Sequence, residues 1–451
     1  MTVVSELADF VRGASFAKMS HDTTEHLKMH LLDTVGAMLI GPKTREGVAI
    51  GKLLGKIAAE GNIPVIGYSS RAALLPSIIA SCAATRCTEI DDIHLESCTA
   101  PGSVIIPTAL SLANAGYLSN PKDFLVAIAV GYEMMIRLGM AINGPKALSK
   151  GIWPTYLGAA LGSAAVTSRA LNLSSQQTTS AISTALTMST GVAGRVRRDA
   201  PFTRWLTVGV AAQNGAIAAL AAQEGFVADD ALLDTTYERI YGLKLSREKL
   251  TDDLGRRFSV DDTGMKPHPI GRQSLSALEA FREIVTANHI DPESIQGIFV
   301  WVPKWHVSMV DRQKLPENRL ESIGHLRYQM ALVAYHPEKL LDVLRENLIK
   351  DSRVSTLMEK VHIKSSRELE RHFPRAWPAR VEVKTDKRRY SCKMLHPKGD
   401  SCNRFSWDEV ISKFGWVAKP AFDEAAIEQV ANSVRKLDAG TSLAHLKGLL
   451  T

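Results

Sequence analysis

The chain has 451 residues, too many for one ordinary hydrophobic core, so two domains are expected. Hydrophobic residues make up 45% and charged residues 22%, an ordinary globular balance that argues against a disordered or fibrous chain. A formal charge of +7 on so long a chain does not call for nucleic acid and fits a pocket that collects an anionic substrate.

Glu6 and Asp9 interrupt the N-terminal stretch, which has no long apolar run, so a secretory signal is not expected. No window is read as a membrane span. The five cysteines, Cys82, Cys87, Cys98, Cys392 and Cys402, show no C-x-x-C spacing. They read as reduced thiols of a cytoplasmic protein, with no metal site.

In chain order, apolar residues recur at helical spacing from Ser5 to Leu39 and again over Leu74–Thr88 and Pro121–Asn143. Tyr156–Leu171 and Ser174–Ser189 form an alanine-rich helix pair, the second opened by a capping box of Ser174 with Gln177. Val208–Gln223 is a further alanine-rich helix. Aromatic residues are only 6% of the chain, which favours close helix packing over strands, and everything before residue 260 is predicted helical.

The character changes after Gly264. Ile298–Val302, Val361–Lys364, Arg380–Lys384 and Arg389–Met394 are predicted strands, the last two joined by a turn at Asp386-Lys387. Leu275–Ala287, Leu326–Ala334 and Pro337–Leu344 are predicted helices, and Ala421–Leu437 is helical again. The expected fold is mainly α with an α+β second domain. A large all-helical domain comprises residues 1–264 and is completed by 400–451, and a smaller α+β lid domain comprises 265–399.

Lys266-Pro267-His268-Pro269 is the most informative local sequence. A residue before proline is driven towards extended geometry, and in an extended chain positions i and i+2 point the same way. The segment is either a stiff domain hinge or a pair of bases presented together. Arg272 follows closely, and a lysine among cations sheds its proton more readily, as a lysine base requires. Ser276 with Glu279 reads as a capping box, which would set a helix N-terminus beside the pair.

Glu89-Ile90-Asp91-Asp92-Ile93-His94 concentrates carboxylates and an imidazole. It could hold a cation, orient a base or cap a neighbouring element. It lacks the ligand order of a calcium loop and the H-E-x-x-H pattern, so no metal is assigned to it. Arg195, Arg197, Arg198 and Arg204 form a basic cluster. Arginine grips carboxylates with a two-pronged fork, although such runs are usually solvated faces. No dinucleotide, phosphate-loop or serine-hydrolase motif occurs.

Leu32-Asp33-Thr34-Val35-Gly36, Glu89-Ile-Asp-Asp-Ile93, Pro101-Gly102-Ser103-Val104 with Pro107, Leu161-Gly-Ser-Ala-Ala165, Gly209-Val-Ala-Ala-Gln-Asn-Gly215 and Met265-Lys-Pro-His-Pro269 stand in an order that resembles the MmgE/PrpD family. That family includes methylcitrate dehydratase, cis-aconitate decarboxylase and iminodisuccinate epimerase. The resemblance implies a helical domain with an α+β lid, a homodimer, a small polycarboxylate substrate, no cofactor, and no nucleic-acid or membrane partner.

It also implies that the dehydratase and decarboxylase branches carry histidine at two positions occupied here by Ala100 and Trp153, whereas the family's lysine is kept as Lys266. Dehydration needs an acid for the leaving hydroxyl as well as a base. Epimerisation needs only a proton removed α to a carboxylate and returned to the opposite face. The resemblance is greatest to the iminodisuccinate epimerase branch. It implies Lys266, with His268 or Tyr156, as catalytic groups. Arg204, Arg198, Arg272, Asp91, Asp92, His94 and Tyr328 are the candidates for binding substrate.

Overall fold

The structure, a computed structural model, describes residues 1–189, 203–345 and 350–451. Its described residues divide into two compact units: the chain up to Thr263 together with Ser406–Thr451, and Gly264–Phe405.

The first unit is a helical assembly. The predicted run from Ser5 to Leu39 is two helices, Val3–Gly13 and His21–Ile40, because Ser20 turns the chain and caps the second through Thr23 N. The capping box of Ser174 and Gln177 is present and opens Ser175–Thr187. Thr203–Gln223 packs on Pro154–Ala170, Leu74–Cys87 and Ser175–Thr187. Small residues make this closeness possible. A Cβ on Gly215 would lie 2.1 Å from the Ala160 carbonyl oxygen, and one on Gly209 would lie 2.3 Å from that of Ile79. We expect Gly215→Ala to destabilise this unit by about 1–3 kcal/mol, the cost of forcing packed helices apart, measured by denaturant unfolding.

Asp33 and Gly36 meet the chain's C-terminal part. Lys413 pairs with Asp33, and Gly36 leaves room for Phe414 and Val417, which seats Trp407–Ala418 on His21–Ile40.

Two expectations need correction here, and one helix is an addition to those predicted. The region before residue 260 is not all helical, because Ile63–Pro64 and Arg71–Ala72 form a short antiparallel ladder. Two residues per strand are too few for any alternation to register. Gly102–Asn114 is a helix despite Pro107 in its interior, the feature that hid it. Finally, Pro121–Ala141 and Thr203–Gln223 are long and apolar enough to cross a membrane. In Pro121–Ala141 the apolar window is 94% buried, as in a core helix that is hydrophobic on all sides.

The second unit is built on one sheet, in the order Val361–Ser365, Ile295–Val302, Ala379–Thr385, Arg389–Met394. The first pair is parallel, with Ile298 opposite Val361, and the other two are antiparallel. The parallel pair requires a crossover, which Leu326–Tyr335 and Ser352–Glu359 supply. Alternation places Ala379, Val381 and Val383 inward, beside Ile298 and Val300 of the next strand. Arg272–Ala287 covers this face with Leu278 and Phe281. The predicted helix over 337–344 is only a single tight turn, Pro337–Lys339. Mainly helical structure with a mixed sheet in the second unit is therefore the fold class of the chain.

Candidate active site

Polar residues are buried in each unit. In the first unit, Leu74–Cys87 ends in a turn where Glu89 takes a positive φ of 58°. The acidic segment that follows is directed into the protein. Glu89 bridges two arginines, at 3.0 Å from Arg86 and 2.8 Å from Arg204. Asp91 pairs with Arg86 at 3.1 Å. The Arg204 guanidinium lies 4.5 Å from the centre of the Trp205 ring and 5.8 Å from that of Trp153. Trp153 in turn stacks on Tyr156 with a 10° interplanar angle. Burial pushes the Tyr156 phenol above its ordinary range, with Arg204 and Arg86 pulling the other way. Tyr156 therefore holds its proton at neutral pH.

Asp92 has a different set of partners. Its Oδ1 accepts the backbone N–H of Gly102 at 2.8 Å, and its Oδ2 accepts the Tyr132 hydroxyl at 2.7 Å. The His30 ring nitrogen lies 3.0 Å from the same Oδ2. Glycine is required at 102, since a Cβ there would stand 2.8 Å from both Asp92 Oδ2 and the Tyr132 oxygen. His94 is buried against Ser97, and burial lowers its pKa to about 4.

In the second unit, Lys266 and His268 are 3% and 6% exposed. His268 Nε2 meets Glu279 Oε1 at 2.8 Å, while its Nδ1 has no partner among the described residues. Burial pushes His268 below the usual histidine value, and the bond to Glu279 offsets this only in part. The imidazole is thus neutral near pH 7, with one nitrogen oriented by a carboxylate and the other unpartnered, an arrangement suited to proton transfer.

Glu279 was expected to close a capping box with Ser276, and that expectation is wrong. The helix begins earlier, at Arg272, so Ser276 lies inside it and donates to the Trp377 carbonyl. Glu279, turned towards His268, becomes its partner. Arg272 pairs with Asp400 at 2.6 Å, both nearly fully buried. Arg345 holds the segment from behind, donating to the Pro269 carbonyl at 3.1 Å. Tyr328 is fully buried and its hydroxyl has no partner among the described residues.

Lys266, His268, Arg272 and Tyr328 thus belong to the second unit, whereas Arg204, Tyr156, Asp91, Asp92 and His94 belong to the first. Arg198 lies outside the described residues, as do Arg195 and Arg197. Sequence reasoning missed Asp400 and Arg345, which reach Arg272 and Pro269 from distant positions with no local signal.

Buried histidines make acid sensitivity predictable. His306 packs on Phe373 and Trp377, and burial lowers its pKa to about 3. Between that value and the unfolded value of about 6.5 the unfolded chain binds a proton that the folded chain does not. The stability contributed is complete above about pH 6.5 and is lost as pH falls, by about 1.4 kcal/mol per pH unit for one group. His306→Phe should flatten the fall in melting temperature between pH 6.5 and pH 4.5; an unchanged slope would remove His306 as a cause.

Residues 5–245 match the family model described as the MmgE/PrpD N-terminal domain, and residues 268–439 match the MmgE/PrpD C-terminal domain. The chain is 25% identical to a cis-aconitate decarboxylase-like protein, oryM, of Aspergillus oryzae, over 100% of this chain and 97% of that relative. It is 26% identical to cis-aconitate decarboxylase of Aspergillus terreus and 27% identical to that of Homo sapiens. Each of these two matches covers 52% of this chain and 48% of the relative.

Proposed function

Since the chain belongs to the MmgE/PrpD family, we propose that it is a cofactor-independent epimerase or racemase of an amino-polycarboxylate such as iminodisuccinate. The observation that carries this reading is the 2.8 Å pairing of buried His268 with Glu279, on a segment where buried Lys266 stands two residues earlier. An oriented imidazole and an amine on one stiff segment are the proposed pair, one to take the proton α to a carboxylate and the other to return it on the opposite face, as inversion requires.

Lys266 is the first base and His268 the second group. Tyr156 remains the alternative for the second role. Arg272, in the same unit as Lys266 and His268, is the proposed carboxylate holder, supporting the negative charge that develops when the carbon loses its proton. Ala100 is buried, and Trp153 is stacked between Tyr156 and Arg204. Neither can supply the imidazole that the dehydratase and decarboxylase branches are expected to carry there.

The second reading, a decarboxylase or dehydratase of a tricarboxylic acid, is favoured by the names of the relatives. Heavy water separates the two. An epimerase places deuterium on the α-carbon of the amino-polycarboxylate and interconverts its configurations without releasing carbon dioxide. Release of carbon dioxide from cis-aconitate, with no labelling of the amino-polycarboxylate, would replace the first reading with the second.

A further inference from the structure

From the loop at residues 396–403 we infer a binding site for a thiophilic divalent cation, formed by His396, Asp400 and Cys402. One ligand atom from each lies within 4.8 Å of the other two. Around a tetrahedral zinc-type ion such atoms stand roughly 3.3–3.5 Å apart, given metal bonds near 2.0 Å to nitrogen and oxygen and 2.3 Å to sulfur. His396 Nδ1 and Asp400 Oδ1 already meet that spacing, at 3.2 Å. Only the thiol has to close in, and Cys402 is exposed and able to rotate.

The loop backbone is held in place for this. Gly399 N donates to the Asn403 carbonyl, Asp400 N to that of Pro397, and Asn403 N to that of Asp400. The Asn403 side chain is bonded to the His396 carbonyl. Gly399, at a φ of 86°, is pressed so closely on Met265 that a Cβ would lie 2.1 Å from its carbonyl oxygen. The ligands are thus pre-organised, with water able to complete the coordination on the exposed side.

Asp400 Oδ2 accepts from Arg272 at 2.6 Å, which leaves Oδ1 for the ion. Oδ1 also accepts the backbone N–H of Cys402 at 3.1 Å. The thiolate supplies the main attraction for the cation. An imidazole, a carboxylate and a thiolate together select zinc, cobalt or cadmium over magnesium or calcium. On binding, the S–H bond of Cys402 breaks, its proton passes to solvent, and the sulfur forms a bond to the metal with no change of oxidation state.

Cobalt(II) tests the site without any assumption about the reaction. Titrating the reduced protein should produce a near-ultraviolet sulfur-to-cobalt charge-transfer band that saturates at one ion per chain and is displaced by zinc. Cys402→Ser should abolish the band, and His396→Ala should weaken binding by roughly 10-fold or more. Circular dichroism should show both variants folded. A titration without the band, or a band that persists in Cys402→Ser, would overturn the assignment. In the second case the ion sits on another thiol, with half-buried Cys392 the next most accessible.

Discussion

Replacing Lys266 with alanine is expected to lower turnover by a factor on the order of 10² or more, the usual scale for a positioned acid or base. The fold should survive, because the neighbouring anchors do not depend on the amine. Arg345 still holds the Pro269 carbonyl, His268 keeps Glu279, and Gly399 stays seated on Met265. If Lys266 serves one face of the carbon, solvent exchange of the α-proton should fail for one configuration before the other. His268→Ala should then affect the opposite face or substrate binding. A Lys266→Ala enzyme with near-normal interconversion in both directions, followed by NMR, would reduce the segment to a hinge. The base would then be sought among Asp91, Asp92, His94 and Tyr156.

Periodicity reveals a helix where a buried stripe every 3.6 residues leaves a repeating pattern, as in Val3–Gly13, which buries Val3, Val4, Leu7, Ala8 and Val11. Branched and aromatic runs likewise revealed the strands around Val300 and Val381. Features that depend on distant partners left no such pattern. Arg272 and Asp400 are 128 positions apart, and nothing in either neighbourhood names the other. The same holds for Asp92, whose partner Tyr132 lies 40 positions on. A buried polar group leaves a local trace only when its partner is a near neighbour along the chain. The misread capping box shows the converse. Ser276 and Glu279 have the right spacing for a cap, but the helix had already begun at Arg272, so Glu279 was available to His268. Spacing identified chemically capable residues at Lys266–Pro269, whereas the bond that orients His268 emerged only from the packing.

Asp92→Ala is expected to destabilise the protein by about 3–5 kcal/mol, the range for removing one partner from a buried charged network. Asp92 is fully buried, and both of its oxygens are engaged. Deleting the carboxylate would strand the Gly102 N–H and the Tyr132 hydroxyl in a dry interior, at about 1–3 kcal/mol for each group left unpaired. It would also leave His30 without the carboxylate now 3.0 Å from its ring nitrogen. Since Gly102 begins Gly102–Asn114, the loss falls on the first turn of a core helix, where a backbone N–H has no helical partner to fall back on. Asp92→Asn keeps the shape and one acceptor oxygen, and is expected to cost less than the alanine variant. Denaturant unfolding of both variants, alongside their kinetics, separates scaffold from chemistry. If Asp92 acts mainly as scaffold, Asp92→Ala shifts the unfolding midpoint strongly, and the protein that remains folded keeps most of its turnover. A stable Asp92→Ala protein that has lost turnover would instead make Asp92 a participant in the reaction, with Tyr132 and Gly102 as the groups that position it.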